Sequence, residues 1–437
     1  MAKRDRSRVL RAAALWVGGG VFLCASGAAT GLLVRDWRAP SAQTLASSSP
    51  TSASSEREGP ALAAAGDAAM APAPPLPASC PLTPHDPPWL AVAPPVAPTP
   101  PVEPRTLTRR VEFWKTVWSE RGDNQHLLVD ERRPWVVHAE VDCRDLHASG
   151  SAETAKADCG ARLTEARRAA QKRLKREAHK PAVLKLFDGD RKLARSAHEH
   201  LIAIQGRKDA LARATDRAAP SLGHTEGLFE LADVPRIYAR AAIVESLWRP
   251  EALSRSGAAG AYQFMPKTGA QFLMVQDGVV DERLDPLRSA WAAAHYMSKM
   301  SRDLKDWPLV LTAYNTGPAR LKRVMKVRHT RDLGKIADAG TFGEFGFDGQ
   351  NYFAQIAAIG QLTAAMQFVP EPVVGRALRV DKALSFAELA ACVEAEPAAL
   401  ARDNPALADA VVEGKAPIPE GYVARVPTAK APALAVR

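Results

Sequence analysis

The sequence predicts a mainly helical chain: a membrane helix, a proline-rich linker, a mostly helical N-terminal region and then an all-α domain. Three observations carry this expectation. Positions 12–34 hold no charged residue and follow the basic flank Lys3, Arg4, Arg6, Arg8 and Arg11. Of the 34 prolines of the 437-residue chain, 17 lie between residues 38 and 105 instead of spreading evenly. Beyond residue 226 apolar residues recur at helical spacing, connections are short and no convincing strand interrupts them, which argues for helices packed on helices.

Residues 1–36 read as a signal anchor, because the uncharged run is longer than the roughly 20 residues that cross a bilayer as a helix. The basic flank places the N-terminus in the cytoplasm. A cleaved signal peptide is the rival, with Ser26-Gly27-Ala28 as a small-residue cleavage site. Cys24 does not make a lipoprotein site, since Leu23 stands where a small residue is needed. Either way the remainder is expected to be exported.

Residues 37–105 are an Ala/Pro/Ser-rich segment that cannot bury enough apolar surface to offset its chain entropy, so a disordered tether is expected. Residues 106–225 form a mostly helical N-terminal region. Val111 to Trp118 is apolar at helical spacing, His126 to Asp130 and Pro134 to Val141 alternate like short strands, and Leu163 to Arg217 reads as helix with a break near Pro181. His198-Glu199-His200 is not read as a metal site, because histidines at i and i+2 point to different helix faces. The net charge of +10 suits nucleic acid, phospholipid or an anionic cell wall alike and selects none of them. Five cysteines do not make a disulfide framework. Cys143 and Cys159 are expected to pair in an oxidising exported compartment, closing a polar loop.

Residues 226–372 form the all-α domain, with helices expected over Val234 to Glu245, Lys267 to Phe272, Pro286 to Met300, Pro308 to Asn315, Pro318 to Lys326 and Tyr352 to Phe368. Several open on proline in the first turn, where its missing donor costs little. Glu245-Ser246 closes the apolar run Ala241 to Val244, so Glu245 is expected at the end of a buried helix with its carboxyl facing a cleft. Burial there disfavours the charged form and raises the pKa, as a general acid needs near neutral pH. Gly257 and Gly260 allow tight turning and close approach to a ligand. Tyr262 and Gln263 offer an aromatic face and an amide suited to a sugar. Glu251, Asp281, Glu282 and Asp285 lie in polar stretches and read as surface charges or helix caps.

Glu245-Ser246, Ala252, Ser254, Gly257-Ala258, Gly260, Gln263, Met265-Pro266 and Thr268-Gly269 resemble the first two motifs of the soluble-lytic-transglycosylase family, in its membrane-bound D type. Ala313-Tyr314-Asn315-Thr316-Gly317 resembles the third motif and Asn351-Tyr352 the fourth, all in family order over residues 226–372. The resemblance implies a goose-type, lysozyme-like all-α catalytic domain. It also implies non-hydrolytic cleavage of the MurNAc-GlcNAc β-1,4 bond of peptidoglycan, giving 1,6-anhydroMurNAc ends. One glutamate, Glu245 by motif position, protonates the glycosidic oxygen and then takes the proton of the muramyl 6-hydroxyl. Tyr314 and Asn315 would line the sugar site, Gln263 and Met265 would contact glycan, and Tyr352 would complete the cleft. Ser246 would orient Glu245 or merely end its helix.

Peptidoglycan strands are the implied partner, together with the inner membrane, with no nucleic acid, no cofactor and no metal. The implied location is the periplasm, anchored at the inner membrane by the N-terminal helix or free after signal cleavage. The pattern departs from the family at Asp348 and Gly349, where Glu and Thr are usual, and at Ala261 and Tyr262. A hydrolytic muramidase and a non-catalytic wall-binding scaffold are the alternatives. Residues 373–437, with two short helical patterns, Asn404-Pro405, Ile418-Pro419 and Val426-Pro427, partly resemble a glycan-binding LysM module, or form a packing tail. The opening strand of such a module is not legible.

Overall fold

A computed structural model describes residues 76–77, 79–93, 96–149, 151–343, 345–366 and 376–426. Among them no helix is long and apolar enough to cross a membrane. The expected architecture is corrected accordingly: the fold is mainly helical, without a membrane-spanning helix among the described residues. The inner membrane as partner, the transmembrane label and periplasmic anchoring through an N-terminal helix accordingly find no support among the described residues. The physical reason is composition, since the two longest helices, Ala152–Glu177 and Lys208–Leu231, carry charges that a bilayer core would reject. Residues 12–34, on which the anchor rested, lie outside the described residues.

The first elements are β1 (Leu82–His85), α1 (Thr108–Ser119), β2 (Gln125–Asp130), β3 (Arg133–Asp142), α2 (Ala152–Glu177), β4 (Leu201–Gln205) and α3 (Lys208–Leu231). β2 is the centre of an antiparallel sheet ordered β3-β2-β4. Its side chains alternate between two cores, as a pleated strand must. Leu127 and Val129 join Val111, Trp114 and Val117 of α1 on one side. Leu128 joins Val136 of β3 and Ala170 and Leu174 of α2 on the other. β4 falls where the sequence reads as continuous helix. Its segment LIAIQ is short and β-branched at Ile202 and Ile204, and its place is fixed by pairing to β2, a contact that composition along the chain does not encode. Cys143 and Cys159 are disulfide-bonded, tying the end of β3 to α2.

α1 does more than cover this sheet, because one hydrophobic cluster runs from Leu107 through Phe229 to Ile359. α3 crosses the expected boundary at residue 226 without a break. The helices that follow are α4 (Ala241–Ser246), α5 (Pro286–Leu304), α6 (Trp307–Thr316), α7 (Pro318–Arg328) and α8 (Phe347–Thr363), with a two-residue hairpin of β5 (Val275–Gln276) and β6 (Val280–Asp281) before α5. Proline opens α5 and α7 and is the second residue of α6, while the Asp285 and Asp306 side chains cap α5 and α6 by accepting from free first-turn amides.

The C-terminal elements are β7 (Arg376–Val380), α9 (Phe386–Val393), α10 (Pro397–Asp403) and β8 (Val423–Val426). The opening strand that the sequence does not reveal is β7, and it is the central strand of a sheet ordered β1-β7-β8. The third strand, β1, comes from residues 82–85, inside the stretch read as linker. Its apolar Leu82 packs against this core, and Cys80 beside it is disulfide-bonded to Cys392 of α9, 312 residues away. This layer docks on α5 through Arg288, whose guanidinium lies 4.3 Å from the Trp89 ring centroid and 4.7 Å from that of Tyr422. Asp285 completes the joint with an ion pair to Arg425 at 2.9 Å.

The bond between Cys80 and Cys392 closes most of the chain into one loop, so its removal should be felt as unfolded-state entropy. Cys80→Ser is expected to lower unfolding free energy by roughly 3–5 kcal/mol, read by urea titration against wild type. A midpoint unchanged within error would show that β1 and β7 hold together without it.

Candidate active site

α4 reads AAIVES, and Ala241, Ala242, Ile243 and Val244 are buried. It ends abruptly because Leu247 and Trp248 both adopt left-handed backbone, at φ 56° and 58°. Such geometry is unfavourable for non-glycine residues and persists only where the surroundings impose it. Here the imposition is the buried Trp248, whose ring meets Tyr262 edge-on at 6.2 Å and whose indole N–H donates to Ser221 Oγ at 3.2 Å. Glu245 is thereby held in the last turn, half-buried, with its carboxyl under dense protein and only partly reached by solvent.

Burial pushes the Glu245 carboxyl up to about 8, against the opposing pull of a hydrogen bond from Tyr352. The Tyr352 hydroxyl donates to Glu245 Oε1 at 2.5 Å. Tyr352 itself is 3% exposed and rides on α8, so the acid and its donor come from elements 107 residues apart. Tyr314 lies at the end of α6. Its phenol is raised well above the usual 10 by burial and by the neighbouring Glu245 charge. Its hydroxyl donates to the Tyr262 backbone carbonyl at 2.8 Å, so it anchors the second-motif loop and leaves the carboxyl to Tyr352. Asn315, half-buried beside it, makes no side-chain hydrogen bond to protein among the described residues.

The remaining expected site residues divide. Ser246 does not touch the Glu245 carboxyl. Its hydroxyl donates to the Ala261 carbonyl at 3.0 Å and accepts from Arg249 N at 2.9 Å, sewing the end of α4 to the loop. Gln263 is buried with φ 49°, and its amide donates to the Gly260 carbonyl at 2.9 Å and the Ala252 carbonyl at 3.2 Å. That engagement braces the loop. Met265 is half-buried before the short helix Pro266–Gly269. Tyr262, read as a stacking face for sugar, is fully buried with its hydroxyl donating to the Ala239 carbonyl at 2.8 Å, so it serves the core.

Three supporting residues were given no role from sequence, although Asp348 and Asn351 fall in the fourth-motif region. Arg283 is buried and donates from Nη1 to the carbonyls of Gly257 and Phe264, both at 2.8 Å, closing the second-motif loop. Asn351 is buried and accepts from Arg110 Nη1 at 2.9 Å and Trp114 Nε1 at 3.0 Å, fixing α8 on α1. Asp348 stands one helical turn before Tyr352, hence on the same face, and burial pushes its carboxyl up to about 6. The spacing of Asp348 to Tyr352 was a readable signal; the partners of Arg283 and Asn351 were not.

The other acids have partners elsewhere. Asp281 pairs with Arg283 at 2.7 Å, Glu282 pairs with Arg288, and Asp285 is a wholly buried cap. His200 pairs with Glu131 at 2.6 Å while His198 meets the Arg195 carbonyl at 2.9 Å, so the two histidines share no ligand. A groove of about 400 Å³ between α1 and β3, walled by Phe113 and Trp135, includes none of the residues around Glu245.

Residues 232–336 match the family model of the transglycosylase SLT domain. Two curated relatives, each described as membrane-bound lytic murein transglycosylase D, come from Escherichia coli strain K12 and from Escherichia coli O6:H1. Each is 33% identical over 132 residues, covering 30% of this chain. The match spans only 29% of those relatives' length. A solved structure of an inactive mutant of the lytic transglycosylase Slt from Pseudomonas aeruginosa aligns over 53% of this chain and 36% of its own. The identity is 18% and the TM-score 0.26. The matched residues 232–336 include Glu245, Tyr314 and Asn315, so the similarity to the transglycosylase SLT domain falls on the candidate site.

Proposed function

We propose that this chain cleaves the β-1,4 bond between MurNAc and GlcNAc in peptidoglycan without water, leaving 1,6-anhydroMurNAc ends. The observation that carries the reading is the Glu245 carboxyl, raised to about 8 by burial and held by the Tyr352 hydroxyl. At neutral pH such a group is protonated, as a general acid must be. It gives its proton to the glycosidic oxygen as the bond to the anomeric carbon breaks. As carboxylate, with Tyr352 donating to it, it then removes the proton of the muramyl 6-hydroxyl while that oxygen bonds to the anomeric carbon. The nucleophile belongs to the substrate, so proximity favours it over water. Asn315, whose amide has no protein partner among the described residues, and Met265 would contact the sugar, while Ser246, Gln263 and Tyr314 position the second-motif loop that leads to Met265. The C-terminal residues, whose described part 376–426 runs strand, three helices, strand, would serve as a glycan-holding or packing layer.

One observation favours hydrolysis instead. Asp348 is a second half-buried carboxyl on the face of α8 that bears Tyr352, and a second carboxylate is what water activation requires. The products discriminate. Isolated peptidoglycan digested with the purified protein is expected to yield ends about 18 Da lighter than hydrolysed ones and inert to borohydride, as an internal hydroxyl nucleophile dictates. Predominantly reducible ends would overturn the non-hydrolytic reading in favour of hydrolysis.

A further inference from the structure

Asp281, which the sequence offers as a surface charge or cap, stands where two parts of the molecule meet. Its strand, β6, pairs antiparallel with β5 and, through Val280 and Leu407, with the C-terminal layer. The Asp281 N–H donates to the Ala406 carbonyl at 2.8 Å and the Ala408 N–H to the Val279 carbonyl at 3.0 Å. Val280 between them is buried in the core of the layer, with Leu378, Leu407 and Tyr422. The layer's side of this joint is itself fixed. The buried Asn404 side chain accepts from Arg425 N at 2.8 Å and from the Tyr422 hydroxyl at 3.2 Å, and Leu407 N donates to the Asn404 carbonyl at 3.0 Å.

The carboxylate of the same residue holds Arg283. Oδ1 accepts from Arg283 Nε at 2.8 Å and Oδ2 from Nη2 at 2.7 Å, the two-bond fork that fixes a guanidinium in its plane. So oriented, the remaining Nη1 spans the second-motif loop by donating to the Gly257 and Phe264 carbonyls, both at 2.8 Å. Phe264 leads directly to Met265, and the same loop carries the Tyr262 carbonyl that accepts from Tyr314 beside Glu245. Arg283 is buried, and the neighbouring acid Glu282 is taken by Arg288. Without the Asp281 carboxylate the guanidinium loses both its orientation and its compensating charge, which is the costly way to break a buried pair. We infer that Asp281 is a positioning residue that couples the C-terminal layer to the second-motif loop, so that Met265 meets the glycan only while the layer is docked on the hairpin. The coupling, which rests on the proposed glycan cleavage, makes the layer a working part of the site in cis. It serves affinity for the strand, while Glu245 and Tyr352, on α4 and α8, keep the chemistry.

The test uses the full chain with Asp281→Asn, Asp281→Glu and Ala408→Pro. The last acts from the layer's side, since it takes away the N–H that Val279 accepts at a φ of −68° that proline adopts without strain. Asp281→Asn is expected to raise KM on isolated peptidoglycan by about tenfold, the scale of a hydrogen bond to a charged group. Its kcat should stay near wild type and still fall as pH passes about 8. Asp281→Glu keeps the charge one methylene further out and should recover part of the affinity, and Ala408→Pro should raise KM by a smaller factor. Where Asp281→Asn fails to fold, these two variants decide. A second arm measures binding of solubilised glycan strands to Glu245→Gln protein with and without Asp281→Asn. Weaker binding in the double variant supports the coupling even if wild type cleaves nothing, in which case the cleavage reading alone fails. Variants that unfold at lower urea yet keep wild-type KM and strand binding would leave Asp281 a role in the fold alone and overturn the coupling. A fall in kcat at unchanged KM would overturn it as well.

Discussion

Glu245→Gln is expected to lower kcat on peptidoglycan by about 100- to 10,000-fold, toward the upper end because one group serves both proton transfers. The same change should make the protein more stable at neutral and basic pH. Burial raises the folded carboxyl from its usual 4.5 to about 8. Below about 4.5 the group is protonated in both folded and unfolded chains, so it contributes no difference. As pH rises toward 8 the unfolded chain ionises freely while the folded one resists, so the folded state loses ground, and above 8 it bears the full cost. Glutamine cannot ionise and escapes that cost, a gain of the order of a few kcal/mol at one pKa unit per 1.36 kcal/mol. Denaturant midpoints of the two proteins should coincide near pH 4 and diverge progressively up to pH 8. Turnover by wild type should fall as pH passes about 8, where the proton donor is spent. Near-wild-type turnover in the variant would remove Glu245 from the chemistry, and parallel stability curves would remove the buried, protonated carboxyl.

The positions around Glu245 were legible because local rules place them. An apolar helix ending in Glu-Ser, glycines where the chain must turn left-handed, and prolines at helix starts are patterns within a few residues, and the helices of the site lie near the positions these patterns gave. What escaped depends on contacts that local pattern does not contain. β4 is strand only because β2 offers an edge to Ile202 and Ile204. β1 leaves the Pro-rich stretch only because β7 lies 298 residues away to receive Leu82. The bond from Cys80 to Cys392 follows from the same pairing, and a search for nearby cysteines finds only Cys143 and Cys159. Tyr262 and Gln263 illustrate a related point. Polar side chains in a motif look available for substrate until their backbone partners are known, and the Tyr262 hydroxyl and the Gln263 amide nitrogen both donate to carbonyls of their own surroundings.

The second large effect is expected at a glycine. Gly260→Ala should destabilise the protein by more than about 4 kcal/mol, in the range that marks a specific steric failure, whereas Gly257→Ala should cost about 1–2 kcal/mol, the ordinary penalty of a left-handed L-residue. Both glycines are left-handed, at φ 82° and 86°. They differ in what a methyl group would meet. At Gly257 the nearest atom is Pro266 Cγ at 3.9 Å, an ordinary contact; at Gly260 it is the Arg283 carbonyl oxygen at 1.7 Å. Neither side can retreat there. Gly260 N donates to the Ala252 carbonyl at 2.8 Å and its own carbonyl accepts from Gln263 N at 3.1 Å, while the Arg283 guanidinium clamps the carbonyls of Gly257 and Phe264. Moving the loop would also draw the Tyr262 carbonyl away from the Tyr314 hydroxyl beside Glu245. Urea titrations of the two variants decide the matter, and equal costs would mean that the close approach of the loop to Arg283 does not hold the site.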